Sequence, residues 1–489
     1  MTASHFSRDS ASQSSIDGDS IASFRLRERL FPESPEALIP SIHFVGVCGS
    51  GMKSLVDVIC DAGWHMTGSD FSQNENTWKE LRRRNLFRLQ DVSDWNTRVS
   101  CNLLIYSAAV PESDRFRQLA YENNVPQLSY VEALARITNS SDGIAVCGTH
   151  GKSSTTSLLS HFMQAAGVHA TTFCGAQQVS DGRSGRLGLD DVVIVEACEF
   201  REHFLQFQPK QICLLGIEPD HFDCFPTLNH AIGAYDRFIQ SLPANGTLTV
   251  NWDCKASRDL ALQYESNQQG RVVSYALSNP AATWTAHRDG RSVLIYESGQ
   301  KVLEGSFPLP GEHALRNLLA AIATLSASVR VDERIASSIQ EYRGLKRRFE
   351  VVREISERVV IDDFAHHPTE VRVTLETARR HYPDSHLVCY FQPHQVSRTR
   401  ALLHEFAHSL QLANEVFVLP IYAARETISE LQETTAKELA NLVAQLGTKS
   451  EFLTSLDPIR TRLETTPLTK ELIITLGAGD IAQIHDDRT

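Results

Sequence analysis

Gly143-Ile144-Ala145-Val146-Cys147-Gly148-Thr149-His150-Gly151-Lys152-Ser153-Ser154-Thr155 is an apolar run, a glycine-bounded turn, and then polar and small residues that open a helix. Strand, glycine turn and helix in that order form a phosphate-binding loop. Gly148 and Gly151 let backbone N–H groups approach phosphate oxygens closely. The helix expected from Ser153 to about Ala166 points its positive end at the same oxygens. Lys152 then reaches the β- and γ-phosphates of ATP, and the Ser153 hydroxyl ligates Mg²⁺. The spacing is GxxGKS, shorter than the general GxxxxGK[ST].

Downstream, two polar clusters each follow an apolar run. Val195-Glu196-Ala197-Cys198-Glu199 follows Asp191–Ile194, and Glu218-Pro219-Asp220-His221-Phe222-Asp223 follows Ile212–Leu215. Runs so continuously apolar read as parallel strands covered on both faces. Ligands of open α/β sheets sit at the carboxyl ends of strands. Glu196 and His221 are therefore expected to converge on a metal beside the loop. A rival metal set, Cys198, His203, His221 and Cys224, matches no zinc spacing. Val293–Tyr296 reads as part of a small antiparallel flap, and Asn317 to Ala321 as the opening of a helix.

Upstream, the β-branched and aromatic run Ile42–Val45 leads into Gly46-Val47-Cys48-Gly49-Ser50-Gly51, and Gly68-Ser69-Asp70 follows the next short run. This is GxxGxG rather than GxGxxG, with Asp70 at the distance of a ribose-binding carboxylate. A nicotinamide dehydrogenase would begin similarly, but it leaves the second phosphate loop unexplained. Towards the C-terminus the strands Val359–Ile361, Leu387–Phe391, Val416–Leu419 and Leu472–Leu476 are expected. Arg347-Arg348 opens this block. Asp362-Asp363-Phe364-Ala365-His366-His367 and Gln392-Pro393-His394 through Arg398 follow its strands. His366, His394 and Arg398 can then share a cleft in which an arginine holds a carboxylate bidentately.

Bulk properties fit this reading. At 489 residues the chain accommodates two to four domains. The 47 basic and 59 acidic residues give a net charge of −12. That argues against a general nucleic-acid binder, which needs a basic face. Ten cysteines without a CxxC pair read as reduced, buried side chains of a cytoplasmic protein. There is no apolar stretch of membrane-spanning length and no secretory signal pattern. Residues 1–38, rich in Ser, Asp and Glu, read as a mobile tail. Three α/β domains are expected, at 39–138, 139–343 and 344–489.

Together these motifs resemble the Mur ligase family, from about Ile42 to Ile481. The resemblance rests on His43-Phe44-Val45-Gly46, the Ala145–Thr155 loop, Glu196-Ala197-Cys198-Glu199-Phe200-Arg201 and Glu218-Pro219-Asp220-His221. Lys346–Glu350, Asp362–Val371, Phe391-Gln392-Pro393-His394 and Gly477-Ala478-Gly479-Asp480-Ile481 complete it. It implies an N-terminal Rossmann-like domain for a UDP-sugar, a central P-loop ATPase-like domain, and a C-terminal Rossmann-like domain that closes the nucleotide site and holds an amino acid. The implied reaction joins the carboxylate of UDP-N-acetylmuramate to the amine of L-alanine, with ATP and Mg²⁺, in cell-wall precursor synthesis. A recycling relative that attaches a tripeptide, and a non-catalytic regulatory relative, are the alternatives. A monomer or weak homodimer is expected.

By the resemblance, Lys152, Glu196, His221 and His366 are catalytic, and Ser153, Glu196 and His221 hold the metal. ATP contacts fall on Gly148, Thr149, His150, Gly151, Lys152, Ser153, Ser154, Asn317, Arg348 and Asp363. UDP-sugar contacts fall on Gly46, Gly49, Ser50, Gly51, Met52, Asp70 and Ser107. Amino-acid contacts fall on Phe364, His366, His394 and Arg398. Four positions depart from the family pattern: Ala314 and Gly216, each in place of Asn, Phe364 in place of Tyr, and Gln395 in place of Arg.

Overall fold

The computed structural model describes residues 21–32, 39–72, 74–90, 101–220, 222, 224–267, 270–424, 426, 431–465 and 469–485. Their strands form three sheets.

The first sheet contains β1 (Ser41–Val45), β2 (His65–Ser69), β3 (Leu86–Arg88), β4 (Leu103–Tyr106) and β5 (Gln127–Ser129), in the order 3-2-1-4-5. All its pairings are parallel. The order reverses at β1, so the glycine turn after β1 opens at the switch point where such sheets bind ligands.

The second sheet contains β6 (Asp142–Cys147), β7 (Thr171–Phe173), β8 (Gly185–Arg186), β9 (Val192–Glu196), β10 (Gln211–Leu214), β11 (Thr247–Asn251), β12 (Arg271–Ala276), β13 (Trp284–Asp289), β14 (Ser292–Glu297) and β15 (Gln300–Ser306). Its order is 15-14-13-12-11-10-6-9-7-8. The expected flap is β13–β15. It is antiparallel as read, but it continues the large sheet rather than standing apart. Central β6 and β10 bury every apolar residue, because helices cover both faces. The helix expected near Asn317 starts a turn and a half earlier, at Glu312, and runs to Leu325.

The third sheet contains β16 (Glu350–Ile355), β17 (Arg358–Asp363), β18 (His386–Phe391), β19 (Glu415–Val418), β20 (Lys449–Phe452) and β21 (Glu471–Leu476). The order is 16-17-21-18-19-20, with only β16 antiparallel. The polar clusters after β17, β18 and β21 therefore share one edge.

One boundary expectation changes. The supposed tail contains a helix at 21–30. Ala22, Leu26 and Leu30 recur every four residues and are buried as one stripe. Ser23 accepts the Trp64 indole N–H at 2.9 Å, and Arg29 pairs with Asp191. Burial of that stripe outweighs the polar composition that suggested mobility. Residues 1–20 and 33–38 lie outside the described residues. The first and second sheets also share a continuous apolar core across Tyr130–Asn139, a helix opened by a Ser129/Glu132 capping box.

Helix Ser50–Asp61 docks the first sheet onto the second through Asp57, whose side chain is fully buried. Its carboxylate meets the Arg84 guanidinium and accepts N–H bonds from Ser184 at 2.8 Å and Gly185 at 3.0 Å. Asp57→Ala leaves the Arg84 charge and two N–H groups unanswered. It is expected to cost about 3 kcal/mol or more. A fall of several degrees in the first thermal transition, read by differential scanning calorimetry, would show this.

Candidate active site

Gly151 begins helix Lys152–Ala165 in the left-handed region, at φ 83°. A Cβ there would come within 2.5 Å of the Asn317 Oδ1, so glycine serves both the turn and the close approach. Thr149 locks the turn, because its Oγ1 accepts the Glu218 N–H at 2.9 Å. Lys152 Nζ donates to the carbonyls of Gly148 at 2.6 Å and Thr149 at 3.0 Å, and pairs with Glu199 at 3.0 Å. Although burial opposes its charge, the carboxylate of Glu199 pushes the Lys152 pKa upward.

Ser153 Oγ donates to Glu196 Oε1 at 3.1 Å, and Gly175 N–H fixes the other carboxylate oxygen at 2.6 Å. Two oxygen donors held together beside a phosphate loop suit a hard divalent cation. His221, expected nearby, lies outside the described residues. Cys198, His203 and Cys224 form no metal-type group among the described residues.

A group with ligand spacing does arise elsewhere, from His150, Glu218 and His367. His150 Nδ1 lies 3.0 Å from Glu370 and its Nε2 3.5 Å from Glu218. Against burial, these two carboxylates push His150 up to about 10, while His150 in turn holds Glu218 down at about 2. The cluster is thus closed by a proton on His150. It fastens the phosphate loop to the third sheet's domain. Thr369 Oγ1 donates to Glu218 at 2.8 Å, and Glu370 also accepts the His366 N–H at 3.0 Å.

Between these elements lies a cavity of about 210 Å³ lined by His150, Gly151, Ser154, Asn317, Arg348 and Asp363, all expected ATP contacts. Its apolar side is built by Leu158, Leu215, Tyr275, Phe307 and Leu345. Asp363 accepts N–H bonds from Phe349 at 2.7 Å and Ala365 at 2.8 Å, and burial raises its pKa to about 6. Gly216 and Ala314, the two departures from Asn, line the same cavity. A flat base can enter between the apolar wall and Asn317, with its phosphates reaching the Gly148–Ser153 turn.

The third sheet's edge brings His366, His394 and Arg398 together, as expected. The His366 and His394 rings are 5.5 Å apart, and Arg398 Nη1 is 3.3 Å from His394 Nδ1. Arg398 is buried, with Nε and Nη2 on Asp220 Oδ1 at 2.9 and 2.7 Å. His366 Nδ1 lies 3.0 Å from the Phe364 carbonyl, which can only accept, so Nδ1 carries the proton and Nε2 the lone pair. Burial lowers the His366 pKa to about 4, so this imidazole is neutral at pH 7. The Arg347 and Arg348 guanidinium groups both lie over the Phe364 ring, 5.1 and 5.0 Å from its centroid.

In the first sheet, Gly46 sits at φ 75°, and a Cβ there would strike Ser107 Cβ at 2.9 Å. Gly49, Ser50 and Gly51 start a helix with no side-chain cap, which leaves N–H groups for an anion. Asp70, expected as a ribose-binding carboxylate, accepts the N–H groups of Cys48 and Ser72, both at 2.8 Å, and so also shapes the turn. Met52, expected among the UDP-sugar contacts, has a buried side chain that packs in the first-sheet core.

Sequence reasoning did not single out Glu199, Glu218, Asp220 or Glu370. Each lies inside a quoted motif, and an acidic residue next to a metal or loop residue was the available signal.

A phosphate loop, an oxygen-donor cation site and a third α/β domain that brings histidines and an arginine to the same cleft define an ATP-dependent ligase. The chain belongs to the Mur ligase family. Three family models match in order: "Mur ligase family, catalytic domain" at 41–141, "Mur ligase middle domain" at 146–325, and "Mur ligase, glutamate ligase domain" at 347–479. A UDP-N-acetylmuramate–L-alanine ligase of Desulfitobacterium hafniense is 35% identical over 91% of this chain and 98% of its own length. The crystal structure of a UDP-N-acetylmuramate–alanine ligase from Thermotoga maritima superposes with a TM-score of 0.75 at 24% identity, covering 91% of this chain and 97% of that one. A murein peptide ligase from Psychrobacter arcticus reaches 0.69 at 20% identity, over 91% and 97%. The dehydrogenase alternative falls with these matches. No helix among the described residues is long and apolar enough to cross a membrane.

Proposed function

We propose that this enzyme ligates L-alanine to the carboxylate of UDP-N-acetylmuramate, with ATP converted to ADP and phosphate. The observation that carries the reading is the joining of Lys152 and the Ser153–Glu196 pair to the Arg398–His394–His366 cleft across one domain interface. The 35% identical alanine ligase supports the choice of substrates.

A carboxylate is a poor acyl donor, so its oxygen first attacks the γ-phosphorus, and the bond to the β-phosphate oxygen breaks, releasing ADP. Lys152 and the backbone N–H groups of the loop hold the phosphates in line for this transfer, which depends mainly on positioning and charge. Ser153, Glu196 and His221 are the residues assigned to Mg²⁺, which when bound neutralises charge on the phosphate oxygens. Asn317, Arg348 and Asp363 hold the nucleoside end.

In the second step the alanine nitrogen attacks the acyl carbon. A tetrahedral intermediate forms and collapses, expelling phosphate. The alanine nitrogen attacks as the free amine, and the neutral Nε2 of His366 takes the proton it sheds once bonded to the acyl carbon, where that nitrogen is far more acidic than alanine's own ammonium. Arg398, aimed by Asp220 and His394, binds the alanine carboxylate. Gly46, Gly49, Ser50, Gly51 and Ser107 bind the UDP part, with Asp70 holding their turn. The assignment carries a cytoplasmic location.

Phosphate release measured with UDP-N-acetylmuramate, ATP and a panel of amines tests the reading. Release with L-alanine, at least tenfold above that with a tripeptide, is expected. A preference for the tripeptide indicates the recycling activity, and no release with any amine indicates a regulatory protein.

A further inference from the structure

A second cleft, of about 640 Å³, lies beside the nucleotide cavity where the antiparallel end of the second sheet meets helix Pro368–His381. Its charged and titratable lining is Arg288, Arg291 and Arg380, with Glu312 as the one carboxylate and the imidazoles of His287 and His381. The arginines come from three segments: β13, the β13–β14 turn and the helix. Arg380 meets Glu312 at 3.5 Å, both side chains largely exposed, which is too solvated to neutralise the cleft. Arg291 has no carboxylate partner among the described residues.

Three like charges have therefore been gathered against a single exposed carboxylate. Burial and Arg291 together push the Arg288 guanidinium below its usual range, and burial, Arg291 and Arg288 push His381 down. Arg288 is fixed, since its guanidinium donates to the carbonyls of Phe307 and Gly290 at 2.9 Å. A guanidinium cluster in a concave site is complementary to phosphate oxygens. The cleft shares Pro310 with the nucleotide cavity, and Gly311 in its wall begins the helix that carries His313, Arg316 and Asn317 into that cavity.

We propose that this cleft is a second anion site, distinct from the phosphate loop, for a ligand bearing a chain of two or more phosphate groups. Such a ligand bridges Arg288 and Arg291 of the second sheet to Arg380 of the third sheet's domain. Its occupancy favours the approach of the two domains around ATP.

Inorganic pyrophosphate, titrated calorimetrically without Mg²⁺ into wild type and into an Arg291→Glu/Arg380→Glu variant, reads the site. The phosphate loop contributes equally to both proteins. Wild type is expected to show two binding events, and the variant to lose one by at least tenfold. The same charge change at Arg330 and Arg460, away from the cleft, should leave both events intact. A single event in wild type, or an equal loss in the control variant, overturns the proposal. If the double variant melts early, Arg291→Gln alone, at an exposed turn, should still weaken the second event severalfold. Repeating the comparison with GTP separates sources. A tighter component lost on charge reversal identifies a nucleotide, and an equal one a bare phosphate chain.

Discussion

Lys152→Ala is expected to lower turnover by at least ~10³-fold while UDP-sugar binding stays within about twofold of wild type. The catalytic part of the loss follows from geometry. Lys152 Nζ is the cation at the loop's mouth, held by two loop carbonyls, and among the described residues no lysine lines the adjoining cavity. The structural part follows from Glu199, which is 3% exposed and would remain buried without its counter-charge. The two parts separate in a second variant. Lys152→Ala/Glu199→Gln removes the orphaned charge, so its melting temperature should recover most of what Lys152→Ala loses. Its turnover should not recover. Recovery of turnover with stability would mean that Lys152 acts only as a structural partner of Glu199. Calorimetric titration with the UDP-sugar supplies the third readout, and a large loss there would mean that the two sites are not separate.

What could be read before the structure was local. Apolar runs of four to six residues followed by glycine or acid-rich turns marked the strands and the edges that carry chemistry. The strand-turn-helix at Gly148–Ser153, the Ser153–Glu196 pairing and the gathering of His366, His394 and Arg398 all depend on how one sheet orders its own strands. Two of the partners that were missed, Glu370 and Asp220, depend on how one sheet docks on another. His150 meets Glu370 across 220 positions and Arg398 meets Asp220 across 178, and no spacing rule reaches that far. Glu370 was doubly hidden, because it also completes a capping box with His367 and reads as an ordinary helix start. The helix at 21–30 was masked by its surroundings. Three apolar residues at four-residue spacing are a weak signal inside a Ser- and Asp-rich stretch, and only the Trp64 side of the first sheet gives them something to bury against.

Arg398→Lys is expected to raise the KM for L-alanine by ~10²-fold, with the KM values for ATP and UDP-N-acetylmuramate nearly unchanged. The size follows from the loss of a planar fork. A guanidinium can bind Asp220 through one edge and still present another, whereas an ammonium keeps the charge but not the bidentate geometry. One charge-assisted hydrogen bond contributes about 1.5–3 kcal/mol, which corresponds to roughly 10- to 150-fold. Asp220 takes Nε and Nη2, and Nη1 faces His394, so the substrate carboxylate meets the Nη1 side. On this geometry Asp220 orients the arginine rather than competing for it. Asp220→Asn should therefore raise the KM for L-alanine by about tenfold, less than Arg398→Lys, because the amide oxygen still accepts the Nε and Nη2 hydrogens but without a charge. If Asp220→Asn instead lowers that KM, the carboxylate is a competitor that alanine must displace, and the resting pair is an inhibitory contact. Steady-state kinetics with L-alanine varied at saturating ATP and UDP-sugar distinguish the two, since they move the same constant in opposite directions.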